Sequence, residues 1–279
     1  MPHRRIPNTA TSAKLTLVTA RDKYKDTPSP GARAISAEQW AKLNDADPTS
    51  FLNRWLKEED YVDLAMSTQG SLTSVLAQTA DRLSMLCSHF HQVFDFGVTR
   101  GIFPASARAF YKRDIGATSL PDLSTYDAIA LAAENIVNGE TKRATAEAAG
   151  VPTYDSGLRY DSGVRYADSA SGTPGVHVVM SMPSAAEIGV VREEFLRLRS
   201  AAHQAEENTD VQREEFTALY PEGHALAVDV CDTVEFFFRK DPDDSSRRAH
   251  CARWGVVYIY DPNEPQPPVE PTPPGTPTP

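Results

Sequence analysis

No run in this sequence approaches the roughly 18 consecutive apolar residues that a membrane-spanning helix requires, and basic residues are scarce. Lys and Arg total 28 against 38 Asp and Glu, a net charge of −10. Phosphate backbones are gripped by clustered Lys and Arg, so nucleic acid is not expected as a main partner. Cysteine is sparse as well. Cys87, Cys231 and Cys251 form an odd set in apolar or aromatic company, which fits buried thiols of a reducing compartment and not a disulfide framework. The N-terminal stretch MPHRRIPNTATSAKLTLVTA has basic residues but no continuous apolar core, so a classical secretory signal is not visible.

Short catalytic signatures are missing too. There is no phosphate-cradling GxxxxGK[ST], dinucleotide GxGxxG, GxSxG elbow or HExxH. Asp95-Phe96-Gly97 spells the metal-binding triplet of kinases, but no Gly-rich loop, strand lysine or HRD loop precedes it. Cys87 and His91 are four apart and share a helix face, yet two ligands do not make a metal site. His224, Cys231, His250 and Cys251 add no tetrahedral spacing. Asp155, Asp161 and Asp168 would meet Arg159 and Arg165 on their own strand face, which argues against calcium. Glu134, Glu140, Glu193, Glu194, Glu214 and Glu215 lack the Glu-x-x-His pairing of bundle di-metal sites and read as solvated helix faces. No cofactor and no metal are expected, and the chain does not read as an enzyme.

What the sequence does have is helical periodicity on both sides of one repeat. Tyr154 to Tyr166 reads YDSGLRYDSGVRY, a hexapeptide written twice and begun again. On an extended strand an even repeat keeps its copies in phase. Tyr154, Leu158, Tyr160, Val164 and Tyr166 then share a sticky face, opposite a charged face thinned by glycine. Two readings compete, a solvated hairpin or an arm that pairs with a sheet edge of another subunit.

Five segments follow from composition. Residues 1–35 form a basic extended arm, with a short strand at 14–19. Residues 36–150 are helical, and Ser36 with Gln39 makes a capping box. The spacing of Leu72, Leu76, Thr79, Leu83, Leu86, Phe90 and Val93 predicts one long helix over 71–97, of roughly 40 Å at about 1.5 Å per residue. Residues 151–183 carry the repeat and a strand at 175–180. Residues 184–261 hold helices over 184–205, 211–219 and 224–238, with Pro221 and Gly223 as breakers. A final strand, WGVVYIY at 254–260, is apolar on both faces and reads as buried in a sheet. Residues 262–279 carry nine of the 21 prolines and form an extended tail.

The fold expected is α+β: a bundle of four to five helices with a small β-sheet, an extended N-terminal arm and a Pro-rich C-terminal tail. The function expected is a structural subunit that self-assembles into a homopolymer by exchange of β-arms and tails. Its interface residues would be Tyr154, Leu158, Tyr160, Val164, Tyr166, Trp254, Tyr258 and Tyr260, and its partner would be itself. The alternatives are an adaptor that docks an aromatic groove through the proline tail, or an enzyme without short motifs whose site lies between helices.

Overall fold

The computed structural model describes residues 3–149, 180 and 183–260, and over these the chain is mostly helical. The helices are α1 (Ala10–Lys25), α2 (Ala37–Leu43), α3 (Phe51–Thr99), α4 (Tyr126–Ala148), α5 (Ala185–Phe238) and α6 (Asp244–Ala252). Two strands, β1 (His3–Arg4) and β2 (Tyr258–Ile259), pair antiparallel with His3 opposite Ile259 and Arg4 opposite Tyr258. The chain divides into two compact units. The first comprises residues 1–66 and 208–279, the second residues 67–207, so α3 and α5 each contribute to both.

In the first unit, α1 is capped by Thr9, whose side chain accepts from the Ser12 amide. The expected strand over 14–19 is therefore helix. Ala13, Leu17 and Ala20 recur at helical spacing and are fully buried, and alternate strand faces could not have placed all three inward. The Ser36 and Gln39 capping box starts α2 as the sequence indicates. Around these helices Leu43, Phe51, Leu52, Trp55, Leu226, Val230, Val234, Trp254 and Val256 close one core.

The segments 184–205, 211–219 and 224–238 are one 54-residue helix, α5, with Pro221 inside it. Proline removes one backbone donor and crowds the carbonyl four residues earlier, at about 3 kcal/mol. The buried face after it, Leu226, Ala227, Val230 and Val234, outweighs that cost. The polar segment 240–246 contains the Asp243 cap of α6. Gly255 at φ 92° then turns the chain back. A Cβ there would stand 2.8 Å from the Thr16 carbonyl oxygen, so glycine serves both the backbone angle and the close approach. The run 254–260 is not a strand buried in a sheet. Only Tyr258–Ile259 pairs, with an equally short partner.

The second unit is built on the C-terminal part of α3, a 3₁₀ turn over Ala105–Tyr111, α4 and the start of α5. Leu76, Leu83, Leu86, Phe90 and Phe94 of α3 meet Ile129, Ala133 and Ile136 of α4 and Ile188, Phe195 and Leu198 of α5. The predicted α3 stripe thus carries this core, with Leu72 and Thr79 half-buried and Val93 facing out. Thr125 caps α4 by accepting from the Ala128 amide. Asp95 accepts from Arg108 Nε at 2.9 Å and Arg113 Nη1 at 3.0 Å. The kinase-like triplet is thereby accounted for as a clamp on the 3₁₀ turn.

Candidate functional site

Two places concentrate polar chemistry, one in each unit. In the second, Arg143 of α4 is fully buried and its guanidinium meets two carboxylates of its own helix. Nη2 donates to Glu140 Oε1 at 2.5 Å and Nη1 to Glu147 Oε1 at 2.8 Å. Tyr111 donates from Oη to Glu140 Oε2 at 2.6 Å and accepts from Arg143 Nε at 3.0 Å. The Phe103 ring lies 5.0 Å from the guanidinium carbon. The spacing Glu140-x-x-Arg143-x-x-x-Glu147 places all three on one helix face. It was legible in the sequence, but Glu140 was read there as solvated, and its side chain is only 12% exposed. Burial works against the Arg143 charge, yet Glu140, Tyr111 and Glu147 together hold it firmly protonated. Burial first, and then the bond to Glu140, push the Tyr111 hydroxyl well above its usual range. Through Tyr111 the cluster ties α4 to the 3₁₀ turn. A buried ion pair is weak evidence for net stability, because desolvation offsets the attraction.

His91 lies beside it, 1% exposed, with its ring edge-on to Phe90 and Tyr111. Its Nδ1 has no hydrogen-bond partner among the described residues. Burial, helped by the Arg113 charge and opposed by Asp95, lowers its pKa from 6.5 to about 4, so the ring is neutral at pH 7. Cys87 is fully buried one turn earlier. Among the described residues no group of three or more His, Cys, Asp and Glu side chains is placed to hold a metal ion.

The other place is the β1–β2 ribbon of the first unit. Arg4 reaches from β1 to Asp232 and to Glu235 Oε2, the latter at 3.2 Å. Tyr258 donates from Oη to Glu235 Oε1 at 2.7 Å, and burial followed by that bond pushes its hydroxyl far up. The ribbon is thus pinned to α5 by the side chains of its Arg4–Tyr258 pair. The Arg5 amide donates to the Val257 carbonyl at 2.8 Å. Antiparallel pairs alternate between exchanging both hydrogen bonds and exchanging none. Arg5–Val257 is a bonded pair, so Arg4–Tyr258 is not, and its backbone N–H and C=O groups point to the outer edges. Among the described residues the sheet has only these two strands, so with respect to them β1 and β2 each keep one outer edge.

Of the interface residues expected from sequence, Tyr154, Leu158, Tyr160, Val164 and Tyr166 lie outside the described residues. Trp254 is 2% exposed in the core of its own unit. Tyr258 and Tyr260 are half-buried, with Tyr258 bonded to Glu235 and the Arg248 guanidinium 5.9 Å from the Tyr260 ring. The even-numbered positions Trp254, Val256, Tyr258 and Tyr260 turn inward. The odd ones, Val257 at 46% and Ile259 at 44% exposed, face out. Period-two alternation was the available signal, but a run apolar at every position does not reveal which set faces the core.

Cys231 and Cys251 lie under this ribbon and are buried. Burial raises Cys231 to about 11 and Cys87 to about 12, and it raises Cys251 as well. A thiol held protonated and out of solvent is a poor nucleophile. The native protein is therefore expected to leave all three cysteines unlabelled by an Ellman-type reagent over minutes, while denaturant exposes three equivalents. One rapid equivalent in the native state would show that one of these sites is open.

No described helix is long and apolar enough to cross a membrane. Comparison with family models, with curated proteins and with solved structures returns no match, so the functional reading rests on the chemistry of the chain itself.

Proposed function

We propose that this chain is a structural subunit that assembles with copies of itself, with a bundle of four or five helices and with extended segments as its means of attachment. No catalytic role, cofactor or nucleic-acid partner belongs to this reading. One observation supports it above the rest: a two-stranded ribbon, pinned to α5 by Arg4 and Tyr258, that among the described residues keeps outer backbone edges and turns Val257 and Ile259 to solvent. An isolated pair of strands is a template for further strands, and chains that stay single blunt such edges with charge or cover.

The test is light scattering on the purified full chain at micromolar concentration, followed by electron microscopy. Particles of more than one chain are expected. Val257→Asp with Ile259→Asp is expected to shrink them while leaving the melting temperature nearly unchanged, because both side chains are exposed. A wild-type monomer at micromolar concentration would overturn the reading.

A further inference from the structure

We infer that two copies of this chain join through β2 alone, about a two-fold axis at Tyr258, to make a continuous sheet in the order β1-β2-β2-β1. This rests on the self-assembly reading above and specifies its contact.

The outward N–H and C=O of β2 belong to Tyr258, since Val257 and Ile259 are occupied with β1. When two antiparallel β2 strands meet, Tyr258 stands opposite Tyr258 of the partner subunit and the two exchange both hydrogen bonds. That register puts Val257 opposite the partner's Ile259, and Ile259 opposite the partner's Val257, on the face where both are exposed. Four branched apolar side chains then form one patch across the axis, which is the kind of cross-strand pairing that stabilises a sheet. The same two residues on a single chain are scattered surface apolars and need no explanation. Their self-complementarity about Tyr258 is what singles out a second copy as occupant.

Charge selects the edge. Pairing through β1 would set Arg4 against the partner's Arg4 and bring His3 and Arg5 of both copies together, and directly opposed like charges destabilise a ladder. Pairing through β2 keeps those cations on the two outer strands. Beneath the ribbon, the carboxylates of Asp232 and Glu235 carry Arg4 of their own chain, which offsets their approach to the partner's pair.

The register makes a distinct prediction for cross-linking. Directly opposed, non-bonded residues have Cα atoms about 4.5 Å apart, within the range a disulfide spans. Residue 257 and the partner's residue 257 lie diagonally, with side chains about 7–8 Å apart, too far to bridge without movement. Val257→Cys and Ile259→Cys chains are purified separately. Each is then oxidised alone and as an equal mixture with copper-phenanthroline, which takes up the two electrons released as two thiols become a disulfide. The native cysteines are buried and stay out of the reaction. The mixture is expected to give covalent dimer several-fold above either variant alone. Equal cross-linking in all three samples, or dimer mainly from one variant by itself, would overturn the β2 register, while light scattering that still showed multimers would leave self-assembly standing on another surface. Monomers in every sample would remove both.

Discussion

Replacing Gly223 by alanine is expected to destabilise the first unit by about 2 kcal/mol or more, although alanine is the better helix former. A Cβ at residue 223 would stand 1.8 Å from Trp55 Cζ3 and 2.5 Å from Cε3, far inside van der Waals contact. The indole cannot swing away. It is 1% exposed, with the rings of Phe51 and Phe216 edge-on at 5.7 and 5.4 Å and Tyr220 at 6.4 Å. Overpacking a close-fitted core costs about 1–3 kcal/mol and sometimes more, and this overlap belongs at the upper end. Against it stands the gain of about 1 kcal/mol from removing a helical glycine. Gly70, exposed within α3 with no atom within 4 Å of its virtual Cβ, supplies the control. Gly70→Ala is expected to gain up to about 1 kcal/mol, so the two substitutions shift the midpoint of chemical denaturation in opposite directions. Trp55→Phe in the Gly223→Ala background should recover much of the loss, because it trims the ring that clashes. The Trp55 Nε1, buried with no partner among the described residues, gives up no hydrogen bond in the exchange. Stabilisation by Gly223→Ala would mean that α5 and α3 are spaced more loosely here than the structure has them.

Acid is expected to weaken the second unit through His91. In the folded chain its pKa is lowered from 6.5 to about 4, so the unfolded chain takes up the proton first as pH falls. Stability is therefore flat with respect to this group above about pH 6.5, declines between 6.5 and 4, and levels off below. Each pH unit of that window corresponds to about 1.4 kcal/mol, for a total of about 3 kcal/mol. The groups facing the imidazole agree with that sign. Arg113 repels the cation, Asp95 attracts it but is already clamped by Arg108 and Arg113, and the rings of Phe90 and Tyr111 offer no water. The measurement is the free energy of unfolding against pH for wild type and for His91→Leu. The difference between the two curves should grow as pH drops from 6.5 to 4, in favour of the variant. Parallel curves would show that the ring is solvated or paired in solution. Carboxylates elsewhere titrate in the same range, and comparing the curves removes their shared contribution.

These two expectations rest on contacts that the sequence showed very unevenly. The α2 capping box and the apolar stripe of α3 could be read directly. Each is a local rule in which a few residues dictate their own backbone or face. Pro221 and Gly223 signalled a break by the same local rules, and α5 runs through both. The glycine is there to admit Trp55, a residue 168 positions earlier in the chain, and no local rule registers that. His91 could be placed on a helix face with Cys87, but its full burial and the lack of a partner for its Nδ1 among the described residues depended on the placement of the 3₁₀ turn. Glu140, Arg143 and Glu147 were visible as a spacing, and Glu140 was misread as solvated.

By itself, then, the sequence determined that most of α2, α3, α4 and α5 is helical, which faces of α2, α3 and α4 are apolar, and that the charge balance is acidic, because these follow from spacing and composition along a few turns of chain. Tertiary structure alone decided that α1 is a helix and not an arm, that α5 is unbroken, and that β1 and β2 from opposite ends of the chain meet with Val257 and Ile259 outward. Each of those outcomes is fixed by side chains far apart in the sequence competing for one core, and the burial of Leu17, Trp55, Val230 and Trp254 together outweighs the local preferences of the residues between them.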